Sequence, residues 1–278
     1  MQHKANIELI IVFTLVLFFF NKALDAGNHI SSAETDSLKA VLKSATNEKR
    51  AILLLRLAEI NFHDSLFAFN KVNEARQVAD KLGNPTYLVE SFLTKSSILY
   101  KVGQSRRALI ALDSAVLIAH NSHDKGLIAK AEFKKIKFLY DMKQTQEAIR
   151  MKSVLLRNME FIQDRELLLD LFNLLGNLEE SSGNLMEAYK YFRDGLKMCH
   201  PQKDKLQSAS FNNSLGALCD AWGVYIKSLR HYQNALSLYK DLNNEGGIAG
   251  VENNIGLVYI SLGKNETAIQ HIEKSLDI

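Results

Sequence analysis

Residues 249–278 read AGVENNIGLVYISLGKNETAIQHIEKSLDI. Within them Ile255, Gly256, Tyr259, Gly263, Ala268, Ile272 and Ser275 form a spaced set of small and apolar positions. Forty residues earlier the set returns as Leu215, Gly216, Cys219, Gly223, Ser228, Tyr232 and Ala235. Forty earlier again it is Leu175, Gly176, Glu179, Gly183, Ala188, Phe192 and Gly195. Each copy fits two helices, one on either side of its second glycine. Self-similarity at this period is the mark of a solenoid, whose units hide their apolar sides only by stacking on one another.

Followed towards the N-terminus, the stride predicts six units: 49–88, 89–128, 129–168, 169–208, 209–248 and 249–278, the last incomplete. The second helix of each opens on a small residue: Ala68, Ala108, Ala148, Ala188, Ser228 and Ala268. A small side chain there lets two helices approach closely. Seven residues on, Ala75, Ala115, Leu155, Gly195, Ala235 and Ser275 share its face. Val72, Leu112, Lys152, Phe192, Tyr232 and Ile272 lie between. Lys152 and Leu155 depart from the pattern and make the third unit the most degenerate. Helix breaks within units fall at His63, Gly103, Lys143, Gly183, Gly223 and Gly263, where a left-handed residue ends a helix. Breaks between units contain Gly83-Asn84-Pro85, His123-Asp124, Asp164, Pro201 and Asn243-Asn244, so neither proline interrupts a helix.

At 47% hydrophobic and 23% charged, the chain has the composition of a folded protein rather than a disordered one. A net charge of +3 is too small to call for a nucleic-acid partner. Lys130, Lys134, Lys135 and Lys137 read as a solvated helix face. Cys199 and Cys219 make no metal motif; each reads as a small hydrophobe, with a single disulfide open to them in an exported chain.

The apolar run Leu9–Phe20 follows Lys4 and matches the core of a signal peptide, being short for a spanning helix. Residues 1–26 are therefore a signal peptide or an uncleaved N-terminal anchor, and either places the repeats outside the cytoplasm. Residues 27–48 form a helical lead-in, with Asp36 as a cap and Leu38, Val41, Leu42 and Ala45 at helical spacing, that covers the first repeat.

The order Leu-Gly, Tyr three residues on, then glycine, Ala and an aromatic resembles the tetratricopeptide repeat over residues 49–278, most fully at Ile255, Gly256, Tyr259, Gly263 and Ala268. The usual unit has about 34 residues, so the stride of forty implies longer helices; it also suits HEAT-type repeats. The resemblance implies an all-α, right-handed α-solenoid. An exported leader, Asp36-Ser37-Leu38-Lys39, Leu54-Leu55-Arg56-Leu57-Ala58 and long units together resemble the sensory region of Bacteroidetes-like histidine kinases or transcriptional regulators. In those proteins a membrane helix and an output module follow. Here residue 278 falls where a second helix should still be running, an expectation of a fragment or of an end capped by a partner.

No phosphate loop, paired-histidine metal helix or nucleophile elbow is present, so no catalytic residue, metal ligand or cofactor is assigned. His120, His123 and Asp124 read as turn chemistry, and His231 and His271 as a partly exposed face of the second helices. The candidate binding residues form a ladder. Asn173, Asn213 and Asn253 step by forty, roughly 200° round the first helix from its core Leu or Ile. The same face carries Asn177 and Glu180, Ala217 and Asp220, Leu257 and Ile260; Phe133, Lys137 and Tyr140 in the third unit; and Leu93, Ser97 and Tyr100 in the second. In the family that face lines a concave groove. The resemblance therefore implies a peptide site of Asn173, Asn177, Asn213, Asn253, Lys137, Tyr140, Tyr100 and Asp220. Carboxamides there pair with a peptide backbone, while Phe133, Tyr140 and Tyr100 add apolar selectivity. The alternative is that the asparagines bond to the neighbouring helix.

The partner expected is a protein or peptide segment, with no nucleic acid and with membrane contact only through the N-terminal segment or a missing C-terminal region. Two functions remain open: the sensory part of a bacterial signalling protein, or a free-standing exported scaffold or assembly factor.

Overall fold

The computed structural model describes residues 34–278, and among them it contains thirteen helices and no strand. The expected signal peptide or anchor lies outside the described residues. The helices are α1 (34–42), α2 (Asn47–Ile60), α3 (Ser65–Leu82), α4 (Pro85–Lys101), α5 (Ser105–Ser122), α6 (Lys125–Asp141), α7 (Thr145–Asn158), α8 (Arg165–Ser181), α9 (Leu185–Met198), α10 (Lys205–Ala221), α11 (Tyr225–Asp241), α12 (Glu245–Ser261) and α13 (Asn265–Leu276). A single 3-10 turn, Met159–Phe161, follows α7. None of the described helices is long and apolar enough to cross a membrane.

First helices open at Pro85, Lys125, Arg165, Lys205 and Glu245, at the stride of forty but four residues before the unit starts counted from the sequence. Side-chain caps mark these points except at Lys205, where Asp204 makes no capping bond. Asn84 accepts from the Thr86 amide at 2.9 Å, Asp164 from Glu166 and Leu167 at 3.0 and 3.2 Å, and Asn244 from Gly247 at 2.8 Å. Each satisfies backbone donors that the first turn leaves without a partner. Pro85 occupies the first helical position, where its missing N–H costs nothing. Asp36, by contrast, is no cap: it lies inside α1 and pairs with Lys39 at 3.7 Å.

The turns inside hairpins share one construction. In α8/α9, Gly183 (φ 79°) donates to Glu180 and the next amide, Asn184, reaches back to the Glu179 carbonyl at 2.9 Å. The same pair of bonds closes the turns at Gly223 and Gly263, and at Lys143, which takes φ 62° despite its side chain. His63 does not follow: among the described residues it has no positive φ, and Asp64 caps α3 instead by accepting from Phe67 at 3.0 Å.

The chain divides into two compact units, one ending at Ala131 and the other running Glu132–Ile278. In the first, α2 packs on α3, α4 on both, and α5 on α4, around Leu54, Ala58, Ala68, Val72 and Ile98. In the second, α7 to α13 pack each on the next, and the first helices α8, α10 and α12 also touch in succession. Its core holds Leu169, Phe192, Phe211 and Leu215, then Tyr232, Val251, Ile255 and Val258. The small residues Ala68, Ala108, Ala148, Ala188, Ser228 and Ala268 are all buried, matching their equivalent seats in the stride.

Glycine in the first helix has a steric reason. A β-carbon at Gly176 would sit 2.2 Å from the Phe192 ring, at Gly216 2.7 Å from Tyr232 and at Gly256 2.7 Å from Ile272. In all three hairpins the large side chain sixteen residues on rests against bare backbone.

Candidate functional site

The candidate ladder lies on α8, α10 and α12 of the Glu132–Ile278 unit. Two of its asparagines are tied to the neighbouring first helix. Asn173 Nδ2 donates to Ser210 Oγ at 3.3 Å, and Asn213 Oδ1 accepts from Asn254 Nδ2 at 3.1 Å. These bonds hold successive hairpins together, as the alternative reading expects. The tie at Asn173 is incomplete, because its Oδ1 is buried and accepts nothing. Asn177, half-buried, and Asn253, exposed, make no side-chain hydrogen bond to a described residue. Glu180 and Asp220 are repeat-equivalent carboxylates on the same face; both are half-buried and unpaired among the described residues, and burial raises both carboxyl groups.

Lys137 is exposed and Tyr140 half-buried on the part of α6 in this unit. Phe133 does not offer the apolar surface expected of it. It is wholly buried, with the Lys134 and Lys137 ammonium groups 5.5 and 6.0 Å from its ring centre. A ring that size gains more from leaving water than from lining a solvated face. Tyr100, in the other unit, is 41% exposed, while Leu93 on its face is buried.

Beside Asn173 lies a cavity of about 330 Å³ between α8, α10, the end of α11 and the start of α12. Asp170, Asn173, Leu206, Ser210, Tyr239 and Gly247 are among its walls. Asp170, Ser210 and Gly250 again step by forty, one turn before Asn173, Asn213 and Asn253. That spacing was legible, but a mixed set of acid, hydroxyl and glycine carries no periodic chemistry to draw the eye. Nothing lies within 4 Å of where a Gly250 β-carbon would stand.

The remaining polar positions bind the fold. His231 Nδ1 and Asn212 Oδ1 are 3.0 Å apart, and His271 Nδ1 and Glu252 Oε2 2.6 Å, two equivalent tethers between first and second helix. Burial, then the charges of Arg230 and Lys227, lower the His231 pKa. Lys152 on α7 pairs with Glu179 on α8, which Asn184 also bonds at 2.8 Å. Burial alone would raise the Glu179 carboxyl, but the hydrogen bonds from Lys152 and Asn184, with the Lys152 charge, hold it below the usual range. His123 ends α5 in the left-handed region (φ 58°), and Asp124 accepts from the Leu127 amide at 3.0 Å, which is turn chemistry. Cys199 and Cys219 are free thiols, both raised by burial, and Cys199 Sγ bonds the Gly195 carbonyl at 3.4 Å.

The tetratricopeptide repeat family model matches residues 253–278. No curated protein is similar enough in sequence to match. Three of the solved structures that resemble the chain follow. A signal-transduction ATPase with numerous domains, with a tetratricopeptide repeat sensor, from Pyrococcus horikoshii is 17% identical at a TM-score of 0.67, covering 84% of this chain; the chain spans 36% of that protein. The apo quorum sensor NprR from B. thuringiensis is 17% identical (TM-score 0.61, 91% of this chain and 73% of that one). A Rap protein complexed with Competence and Sporulation Factor is 12% identical (TM-score 0.60, 88% and 79%). At such identities the likeness is one of fold. A tetratricopeptide repeat is present at residues 253–278, and the fold is that of tetratricopeptide-like helical solenoids.

Proposed function

We propose that this chain is a non-catalytic module whose first-helix face, in the Glu132–Ile278 unit, holds an extended peptide or a segment of another protein. One observation carries the reading: Asn177, Glu180, Asp220 and Asn253 line that face with no partner among the described residues, beside a cavity of about 330 Å³. A carboxamide offers two donors and an acceptor, enough to pair with a peptide unit of any sequence. The complex of the Rap protein with its factor and the sensor roles named for the Pyrococcus protein and NprR support the reading by analogy of fold. The setting is the sensory part of a bacterial signalling protein outside the cytoplasm, supported by the apolar leader at Leu9–Phe20 and the resemblance of the units.

A random extended-peptide library passed over the full chain tests the binding. Retained peptides should lose about tenfold in affinity with Asn177→Ala plus Asn253→Ala while the melting temperature holds. A library that leaves no bound peptide, or equal retention by the double variant, refutes the reading. Alkaline phosphatase fused after Ile278 should be active in a bacterial host, since it matures only outside the cytoplasm; an inactive, stable fusion removes the extracytoplasmic setting.

A further inference from the structure

The cavity beside Asn173 has a one-sided chemistry. Asp170 is the one charged group among the residues lining it, and it has no ion pair or hydrogen bond to a described residue. Asn173 Oδ1 is a buried acceptor without a donor, and its amide is held only by the long 3.3 Å bond to Ser210. The other two lining amides make no hydrogen bond to either group: Asn244 Oδ1 caps Gly247 at 2.8 Å, and neither its nitrogen nor that of Gln207 is bonded to Asp170 or Asn173. The nearby cations are engaged elsewhere: Arg165 on Asp204 at 2.6 Å and Lys205 on Asp241 at 2.9 Å. Leu206, Phe211 and Tyr239 supply an apolar wall. The tyrosine ring is pinned, since it lies against the bare backbone of Gly247, 2.5 Å from where a β-carbon would be.

We infer that this cavity takes a lysine or arginine side chain of the bound segment, its cationic head on Asp170 and Asn173 and its aliphatic stem along Leu206 and Tyr239. The inference rests on the peptide-binding reading and names the residue class that reading leaves open. An anion would meet a carboxylate and a bare carbonyl oxygen. An apolar side chain would dry both acceptors and pair neither, which is the costly arrangement for buried polar groups. A long basic side chain satisfies both ends of the site, because its stem packs on apolar surface while its head carries the donors. The carboxamide reaches the head by rotating toward the cavity, which breaks only the weak bond to Ser210.

The probes are random-sequence peptide libraries with one fixed central residue, either lysine, norleucine or glutamate, together with free cadaverine. Binding to the full chain is followed by fluorescence polarisation. The lysine library should bind about tenfold or more tightly than the norleucine library, and the margin should shrink in roughly 0.5 M salt. Asp170→Asn should abolish the margin, by weakening the lysine library, and Asp170→Glu should retain it. Asn173→Ser, which keeps a small polar group, should reduce the margin and serves if Asp170→Asn fails to fold. Equal affinity of the lysine and norleucine libraries, or a lysine preference that survives in Asp170→Asn, overturns this inference and leaves the peptide groove standing. Cadaverine binding as tightly as the lysine library would make the site one for a free amine and overturn it too. Absence of binding by every library sinks both readings.

Discussion

Gly176 and Gly250 sit in the interiors of equivalent first helices, α8 and α12, yet an added methyl group should act on them with opposite signs. At Gly176 the β-carbon would meet three atoms of the Phe192 ring at 2.2, 2.6 and 2.6 Å. Ordinary contact begins near 3.4 Å, so the ring would have to withdraw by about 1 Å. It has nowhere to go. Phe192 is fully buried and tilted against Phe211 at 6.5 Å, and Phe211 already presses on Gly195, 2.3 Å from where a β-carbon would stand. Forcing extra volume into such a core costs about 1–3 kcal/mol, and the better helix propensity of alanine returns about 1 kcal/mol. The 2.2 Å approach puts the packing cost near the top of that range, so Gly176→Ala should destabilise by up to about 2 kcal/mol. At Gly250 nothing lies within 4 Å, so Gly250→Ala should keep the propensity gain and stabilise by up to about 1 kcal/mol. Urea unfolding followed by circular dichroism reads both, as midpoints that move in opposite directions at constant slope. Phe192→Leu should recover part of the loss in the Gly176→Ala background, giving a favourable coupling in the double-mutant cycle. A Gly176→Ala protein as stable as the parent, or a destabilised Gly250→Ala protein, would refute the packing account.

The buried pair on α7 and α8 makes a second test: Lys152→Met strands the Glu179 carboxylate, whose side chain is 6% exposed, and should cost about 3 kcal/mol. Because the partners hold Glu179 below its ordinary 4.5, its contribution is present above that pH and is lost as pH falls through the folded value; the acid limb of stability should flatten in the variant. His231 acts with the same sense at higher pH. Its folded pKa lies below the ordinary 6.5, so the unfolded chain takes the proton first and stability should fall as pH drops through that value, a loss that His231→Gln removes. The asparagines separate by role: Asn213→Ala breaks the bond to Asn254 and should lower stability by about 1 kcal/mol, read by urea midpoint, with peptide affinity unchanged. Asn253→Ala should do the reverse, and a variant of Asn213 that loses affinity by 1–3 kcal/mol at unchanged stability would restore it to the groove.

The helical class and the stride of forty between successive first helices were legible in the sequence. Glycine or a left-handed lysine at the turns after the first, a side-chain cap before four of the first helices and an alanine-sized residue at each close approach are local demands. A unit meets such demands with its own residues, so they recur along the chain and can be read from it. Contacts between hairpins obey no such rule. Lys152 reads in sequence as a fault in the third unit and Glu179 as an ordinary member of the fourth, and only folding shows that each faces the other and answers its charge. Asn173, Asn213 and Asn253 are equivalent by count, yet one is half-tied to Ser210, one is bound to Asn254 and one is exposed. What a side chain at a repeated position does depends on the residue opposite it in the next hairpin, and that residue is free to vary. The cavity at Asp170 arises in the same way: Asp170, Ser210 and Gly247 mean little apart and enclose a space only when α8, α10 and α12 are stacked.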